Sequence, residues 1–394
     1  MPRNTAPDRL RRFVRGPSTV VVVGFIGLFF LPSRVALAED AEDLLSLWHY
    51  QLYADIGYAS SDNNPENHVW RSKSTTSTLD NFELFLGMGS VRKDATEDSR
   101  WGLELGLQTG LDSEGLVTAP PPPALEPIPN AESWRHLYRA NVSHLFDAGC
   151  GLRLTGGLIN SYIGYESYLA IENLNYTHGY MSDSVPYLLI GLEADWEVSE
   201  QVDLGFYLTT GYNYLTRPND ALSPGFRVAW QISPRTTVTQ NLYYGPDQAQ
   251  TSLEFWRALS DTIVEWKHDR WLVAAAVDFG TEKQAHLAGQ PRHTWSSGAL
   301  WVRWQFAEGW SVALRPEFYS DPDGQISGAQ QFIQAYTGTV KYQLSLRHHR
   351  IVGVFEARYD RSTGDDGGFY KGPDNSLVPS QSLVLFGLLW SFDL

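Results

Sequence analysis

A period of two in hydrophobicity constrains the fold of this chain more than any other feature. In VDLGFYLTTGYNY, residues 202–214, alternate side chains are apolar and end in aromatic residues, and the intervening ones are small or polar. The apolar set is Val202, Leu204, Phe206, Leu208, Thr210, Tyr212 and Tyr214. The segments WGLELGLQTGL, residues 101–111, and WHYQLYADIGY, residues 48–58, repeat the pattern. This alternation predicts β-strands with one apolar face.

Composition narrows the fold class further. The chain contains 14 tryptophans, 20 tyrosines and 18 phenylalanines, and its mean hydropathy of −0.28 comes with no second long apolar run. These features exclude a helical membrane protein but not an outer-membrane barrel, whose strands alternate lipid-facing and lumen-facing residues. A soluble sandwich also alternates, but it rarely has so many aromatic residues at strand ends. We predict an all-β fold, a transmembrane antiparallel up-and-down β-barrel.

About sixteen strands can be counted along the chain. The predicted strands cover residues 47–59, 79–91, 101–111, 134–146, 151–162, 186–198, 202–214, 224–232, 236–245, 255–266, 271–280, 294–306, 310–320, 332–345, 350–360 and 380–394. Short connections follow even-numbered strands, and longer ones follow odd-numbered strands. This parity predicts short periplasmic turns, long external loops and both chain ends in the periplasm.

Aromatic residues support this orientation. Six tryptophans lie on the apolar parity within four residues of a proposed short turn: Trp196, Trp230, Trp266, Trp271, Trp304 and Trp310. Four tyrosines lie toward the proposed outer ends: Tyr58, Tyr212, Tyr244 and Tyr359. Such girdles mark the two membrane interfaces.

The last strand has two apolar faces. In SLVLFGLLWSFDL, residues 382–394, one face carries Val384, Phe386, Leu388, Trp390, Phe392 and Leu394. This stretch resembles the C-terminal strand by which the barrel assembly machinery recognises outer-membrane barrels. The opposite face, with Leu383, Leu385 and Leu389, is unusually apolar for a lumen.

The start of the chain predicts export. Five arginines precede the apolar run Thr19–Leu31, and Ala36-Leu37-Ala38 follows it as an A-x-A cleavage site. The alternative of a membrane anchor requires ~17–25 apolar residues, more than this run provides. We therefore predict a cleaved signal peptide over 1–38 and an outer-membrane barrel over 39–394.

Net charge and cysteine content limit the possible binding partners and disulfides. The leader holds six arginines and one aspartate, so its removal changes the formal net charge from −15 to −20. Such acidity argues against nucleic acid as a partner. The single cysteine, Cys150, cannot form an internal disulfide and is read as an inert turn residue.

Strand parity turns many charged residues toward the lumen. The predicted lumen charges are Glu104, Arg135, Arg139, Arg153, Glu193, Asp203, Arg227, Arg303, Arg315, Glu317, Glu356 and Arg358. An arginine facing lipid near the midplane would cost ~2–4 kcal/mol, so the inward assignment follows wherever the register holds. Two interpretations stay open: these charges set a field that selects solutes, or they pair with one another and keep the lumen wet.

The third long connection, residues 163–184, is the predicted constriction. A sixteen-stranded barrel leaves an aqueous channel that wall side chains cannot fill, so this loop is expected to fold inward. Its candidate site residues are Tyr165, Glu166, Glu172, Asn175, Tyr176, His178 and Asp183. The three carboxylates are expected to face inward arginines across water and, with the net charge, to favour cations.

One segment carries a family resemblance. Residues Gly157–Asn213 resemble the central region of the β-barrel porin-2 family of outer-membrane proteins, through Ile163-Gly164-Tyr165-Glu166, Asn175-Tyr176-Thr177, Pro186 and Gly191. The resemblance implies a porin-like barrel with this loop early in the sequence. It implies no particular solute.

The predicted function is passive diffusion of small hydrophilic solutes or ions through an outer-membrane channel. One alternative is a non-transporting barrel, an adhesin or envelope scaffold with a plugged lumen. Another is a hydrolase that uses Glu166 and Glu172 as a pair, but no nucleophile elbow or metal-ligand spacing accompanies them, and no cofactor or metal is predicted.

A proline run, Ala119–Asn130, lies in the second long loop. Polyproline is stiff and extended, so it can cap the mouth or latch a neighbouring barrel in a homotrimer. An exposed linker is the simpler alternative. The other predicted partner is outer-membrane lipid.

Overall fold

The computed structural model describes residues 47–115, 134–212, 219 and 221–394. In this part of the chain, sixteen antiparallel strands form one closed barrel, in which the first strand pairs with the last. The predicted fold class and strand number are confirmed. The predicted signal peptide, residues 1–38, and the proline run, residues 119–130, lie outside the described residues.

Most barrel strands differ from their predicted bounds by only a few residues. The barrel strands are β1 (Trp48–Ser61), β2 (Phe82–Lys93), β3 (Trp101–Thr109), β4 (Leu137–Phe146), β5 (Leu152–Asn160), β6 (Leu188–Ser199), β7 (Val202–Thr209), β8 (Ser223–Ser233), β9 (Thr236–Pro246), β10 (Trp256–His268), β11 (Trp271–Lys283), β12 (Arg292–Ala307), β13 (Trp310–Asp321), β14 (Gln331–Leu346), β15 (His349–Thr363) and β18 (Ser380–Asp393). A small hairpin, β16 (Phe369–Lys371) and β17 (Ser376–Val378), stands apart from the barrel sheet.

Helical structure is confined to short pieces of the connections. The helices are α1 (Leu111–Gly115) and α2 (Tyr180–Asp183), and 3-10 turns cover Ala170–Glu172 and Leu253–Phe255. No helix in the described ranges is long and apolar enough to cross a membrane.

Burial along the strands follows the period of two. In β13, Leu314 and Phe318 are exposed on the outside of the barrel, whereas Arg315 and Glu317 between them are buried. β15 repeats this arrangement, with Phe355 outside. Apolar side chains exposed around a closed barrel suit a hydrocarbon environment, because water would penalise so large an apolar surface.

The predicted alternation of turn length is also present. β6 and β7, β8 and β9, and β12 and β13 are joined by two-residue turns, and Gly309 adopts a φ of 71° in the last of them. Trp271 and Trp304 stack at this end of the barrel with ring centroids 5.6 Å apart. Trp230 and Trp310 are exposed beside the turns. The arrangement suits an interfacial girdle.

Two sequence expectations about strand ends are wrong. β7 ends at Thr209, and Tyr212, predicted to face outward, is fully buried and donates its hydroxyl hydrogen bond to the Ser184 carbonyl over 3.3 Å. The chain leaves the sheet before Tyr212, so strand parity no longer sets its direction. β4 begins at Leu137, which leaves Arg135 in the preceding connection, 3.5 Å from Glu114.

Candidate functional site

The connection between β5 and β6, residues 161–187, is here called the β5–β6 loop. Most of its side chains are buried. Its hydrogen bonds reach β1, β9, β10, β12, β13, β14 and β15. Their partners include side chains of the inward parity, so the loop is anchored to the inner wall through seven strands.

Three hydrogen bonds hold the Glu166 carboxylate in the loop. Its carboxylate accepts hydrogen bonds from Arg315 Nη1 at 2.6 Å, from Trp301 Nε1 at 3.0 Å and from the Gly179 amide at 2.8 Å. Burial alone would raise the pKa of Glu166, but the Arg315 guanidinium and the hydrogen bonds outweigh it and lower the pKa to about 2. Direct contact replaces the expected gap of water between this carboxylate and an arginine.

Arg315 belongs to a row of paired charges on β13 and β15. Its Nη1 also donates to the Thr177 carbonyl at 2.6 Å, and its Nη2 lies 3.5 Å from Glu317. Arg358 pairs with Glu317 at 3.1 Å and with Asp360 at 2.7 Å. Three predicted lumen charges, Arg315, Glu317 and Arg358, therefore lie together beside the loop. They pair with one another, and the two arginines also bond to loop residues.

Glu356 holds the middle of the loop through backbone amides. Its two oxygens accept from the amides of Tyr176 and Thr177 at 2.7 and 3.1 Å. Nearby, Asn175 donates its side-chain amide to Thr339 Oγ1 at 2.7 Å. A buried carboxylate that accepts several backbone N–H groups is well satisfied.

A buried lysine holds the same stretch from the other side. Lys341 Nζ donates to the carbonyl groups of Asn173 at 2.6 Å, Asn175 at 3.2 Å and Ala170 at 3.4 Å. Three loop carbonyls thereby share one ammonium group, whose three N–H bonds suit this arrangement.

The ring of Tyr176 occupies a cleft where the barrel closes. Gly57 of β1 and Gly387 of β18 are opposite one another in the register, and a Cβ at Gly387 would lie 2.6 Å from Tyr176 Cζ. The hydroxyl group donates to Asp55 Oδ1 at 2.8 Å. We call this pair of glycines the seam cleft, because it makes room for the tyrosine at the junction of the first and last strands.

The apolar inner face of β18 is explained by the same loop. Leu383, Leu385 and Leu389 are buried in one cluster with the loop residues 168–171 and with Tyr176. Side chains that would be unfavourable in a wet lumen are instead covered by apolar side chains of the loop.

The first long connection, residues 62–81, meets the β5–β6 loop at its far end. Lys73 forms an ion pair with Asp183, and Thr75 donates to Asp183 at 2.7 Å. The His178 ring lies 3.2 Å from Thr75 Oγ1 and 2.8 Å from the Ser167 carbonyl, and burial lowers the pKa of His178. No motif in residues 62–81 predicted these contacts.

The remaining predicted loop residues differ in environment. Tyr165 donates to Glu265 at 2.8 Å and packs on Trp301, with ring centroids 4.7 Å apart. Glu172 is exposed at the edge of the loop and pairs with Arg350. Glu166 and Glu172 thus belong to separate ion pairs, which removes the two-carboxylate arrangement considered for hydrolysis.

A cavity of about 360 Å³ lies where the loop leaves β5. Its lining includes Tyr162, Tyr165, Glu193, Tyr207, Arg227 and Glu265. Tyr162 and Tyr207 stack with centroids 3.8 Å apart, and Arg227 pairs with Asp195 at 2.6 Å. The cavity therefore joins aromatic faces, hydroxyl groups and charges of both signs. Two predicted lumen charges, Glu193 and Arg227, belong to it.

Other predicted lumen charges lie outside this cavity. Arg139 is buried against Tyr138, 3.9 Å from the ring centroid, and lies 3.7 Å from Glu104. Arg153 on β5 is exposed, and Asp203 on β7 and Arg303 on β12 are partly exposed. In the described ranges, no group of three His, Cys, Asp or Glu side chains is arranged to hold a metal ion.

Solved structures of porins share this fold. An anion-selective porin from Comamonas acidovorans aligns with a TM-score of 0.53 and 11% identity, covering 88% of this chain and 99% of its own. The outer membrane channel DcaP of Acinetobacter baumannii aligns with a TM-score of 0.51 and 8% identity, covering 88% and 96%. The trimer form of OmpT, an outer membrane protein of Vibrio cholerae, aligns with a TM-score of 0.51 and 9% identity, covering 88% and 98%. At these identities the likeness concerns the fold alone.

The family comparison covers nearly the whole barrel. No curated protein matches the sequence. The family model described as beta-barrel porin-2, OmpL-like, matches residues 49–392, which run from the start of β1 to the end of β18. The resemblance first seen in Gly157–Asn213 thus extends over the described barrel, and the chain belongs to the beta-barrel porin-2 family of outer-membrane porins.

Proposed function

We propose that the protein forms a water-filled channel for passive diffusion of small hydrophilic solutes or ions across the outer membrane. The observation that carries this proposal is the cavity beside the β5–β6 loop, lined by Glu193, Arg227, Glu265 and tyrosine hydroxyl groups within a closed barrel. A polar lining of this kind can replace part of a solute's hydration shell. Targeting by the predicted signal peptide, residues 1–38, is part of the proposal.

The β5–β6 loop acts as the constriction. Its hydrogen bonds to inward side chains of β13, β14 and β15 support this role, because they hold the loop against the inner wall. Residues of β6 to β10 line the cavity beside the loop, and we propose that the open path runs along them. We call this the cavity route.

Cation preference is the finer part of the proposal. Glu166 and Asp183 are paired with Arg315 and Lys73, so they add little unbalanced charge to the pathway. The preference instead rests on the formal charge of −20 that removal of the leader would leave, a field that attracts cations to the mouths. A porin of the same fold is anion-selective, so the fold does not determine the sign.

Catalysis forms no part of the proposal. Glu166 and His178 are engaged by loop and wall groups, and the Thr75 hydroxyl beside His178 donates its hydrogen bond to Asp183. Assembly as a homotrimer is proposed because OmpT of Vibrio cholerae has a trimer form.

A second candidate function, a plugged barrel that serves as an adhesin or envelope scaffold, is favoured by one observation. Residues 62–81 and the β5–β6 loop interlock through Lys73, Thr75 and Trp70, all buried or nearly so. A loop pair packed this tightly could fill the lumen. Conductance before and after deletion of residues 164–184 separates the two functions. A constricted channel conducts before the deletion and more strongly after it, whereas a barrel plugged by this loop pair is silent before the deletion.

Planar bilayers test the channel directly. Purified protein should produce stepwise conductance, and a salt gradient should give a reversal potential of the sign expected for cations. Membranes that stay silent with folded protein, at several voltages and salt concentrations, would refute the channel. A reversal potential of the opposite sign would refute only the cation preference.

A further inference from the structure

An acid and a base share one tyrosine hydroxyl in the wall of the cavity. Glu193 of β6 lies opposite Tyr207 of β7 in the strand register, and Arg227 of β8 is diagonal to Tyr207 on the other side. All three side chains line the cavity. The Tyr207 hydroxyl interacts with both the Glu193 carboxylate and the Arg227 guanidinium. Two opposite charges are thereby held along the wall with one strand between them.

Neither charge is saturated by its protein partners. No lysine or arginine of the described residues forms an ion pair with Glu193, and the basic groups that act on it, Arg227 and Arg153, do so at longer range. Arg227 donates through Nη2 to Asp195 at 2.6 Å, which uses one of the five N–H groups of a guanidinium. Its side chain is 24% exposed. Each charge can therefore still bind a polar group of a solute.

The ring of Tyr207 fixes the separation of the two charges. It stacks on Tyr162 with ring centroids 3.8 Å apart, and the Tyr162 hydroxyl donates to the Leu242 carbonyl at 3.1 Å. Gly205 makes room for the ring, because a Cβ there would lie 2.7 Å from the Tyr207 hydroxyl oxygen. Groups that are held in place before a solute binds lose less entropy when it does.

This arrangement discriminates between classes of solute by their charge. An anion at Arg227 would meet the carboxylates of Glu193 and Asp195, and a cation at Glu193 would meet the Arg227 guanidinium. A solute that carries both an ammonium group and a carboxylate avoids this repulsion, because each of its charges meets an opposite one. An uncharged solute gains less, since charge-assisted hydrogen bonds are stronger than neutral ones.

We propose that the cavity selects small zwitterions of the amino-acid class, with the ammonium group at Glu193 and the carboxylate at Arg227. This inference rests on the proposed channel and names the class of solute that the channel favours. The volume of the cavity, about 360 Å³, lies within the range of small-molecule sites. A zwitterion has no net charge, so its passage is compatible with a field at the mouths that attracts cations.

Entry of solutes into proteoliposomes tests the inference with the folded protein. Glycine is compared with glycolamide, an uncharged molecule of the same size, after subtraction of entry into protein-free liposomes. We expect glycine to enter at least about threefold faster through the wild type. The ratio should fall to about one in Glu193→Gln and in Arg227→Gln, because each leaves one charge of glycine without a partner. Asp203→Asn, which removes a carboxylate of β7 outside the cavity lining, is the matched control and should keep the wild-type ratio.

The outcomes separate this inference from the proposed channel. Glycolamide entry that is equal in the wild type and the variants shows that every barrel is folded and open. Equal entry of glycine and glycolamide through the wild type would overturn the inference and leave the channel standing. A wild-type ratio that persists in both variants would also overturn it, because the preference would then arise elsewhere. If neither solute enters through the folded protein, the proposed channel fails and this inference fails with it.

Discussion

Replacement of Glu166 by glutamine should release the β5–β6 loop. The pKa of Glu166 is lowered to about 2 from its ordinary 4.5, which corresponds to roughly 3 kcal/mol in favour of the charged, folded form. Removal of one partner from a buried ion pair costs a similar amount, about 3–5 kcal/mol. Glutamine has the same size as glutamate and keeps an oxygen that accepts from Trp301, so we use the lower figure, about 3 kcal/mol, as the loss of stability of the closed loop. The population of the open loop should then rise about 100-fold.

Two measurements follow from this shift. Single-channel recordings of Glu166→Gln should show larger or noisier conductance than the wild type. Hydrogen exchange at the Gly179 amide, which donates to Glu166, should quicken by a similar factor. The matched control is Glu172→Gln, since the exposed Glu172–Arg350 pair contributes little.

The sign of the pH dependence offers a further check on the same residue. Because the folded pKa of Glu166 is depressed, its contribution is complete above pH 4.5 and is lost as the pH falls toward about 2. Wild-type loops should therefore open in that range, and Glu166→Gln should lack this step. Unchanged conductance together with unchanged exchange at Gly179 would refute the idea that this ion pair holds the loop.

Three other predictions concern the loop and the wall. Gly387→Val should expel Tyr176 from the seam cleft and increase conductance. The control Gly353→Ala, whose Cβ would meet nothing within 4 Å, should leave conductance unchanged. Equal conductance of the two variants would contradict the role of the seam cleft. Burial lowers the pKa of His178 below 6.5, so the stability of the loop should begin to fall as the pH drops below about 6.5. Conductance measured against pH should show this change in the wild type but not in His178→Gln. Leu388→Arg, on the lipid side at mid-strand, should lower folding stability in lipid by about 2–4 kcal/mol, and Leu346→Arg beside a short turn by about 0–1 kcal/mol. Equal losses at the two sites would contradict the predicted position of the membrane.

The barrel could be predicted because the direction of each strand side chain depends only on its position within a short stretch of sequence. A side chain's direction in a strand follows from its parity, so the exposed Leu314 and the buried Arg315 could be assigned from the alternation alone. The end of β7 could not be predicted in this way, because the alternation continues past Thr209 to Tyr212. In the structure Tyr212 turns inward and bonds to Ser184 and Asp247.

The site was only partly predictable, for a different reason. The candidate loop residues were identifiable as a polar segment between strands, but their partners depend on contacts between residues far apart in the sequence. Lys73 pairs with Asp183 and Lys341 binds three loop carbonyls, and neither lysine has a local motif. One signal was available: the apolar inner parity of β18 at Leu383 and Leu385 indicates that some segment covers the wall there.

Thiol labelling during conductance recording tests the central claim that solutes follow the cavity route past the β5–β6 loop. In a Cys150→Ser background, which removes the exposed native thiol, Thr239→Cys places a thiol in the cavity lining, and Thr337→Cys places one on the inner wall at Arg315, beneath the loop. A bulky water-soluble thiol reagent should reduce conductance through Thr239→Cys and leave Thr337→Cys unchanged. Block at Thr337→Cys without block at Thr239→Cys would contradict the cavity route.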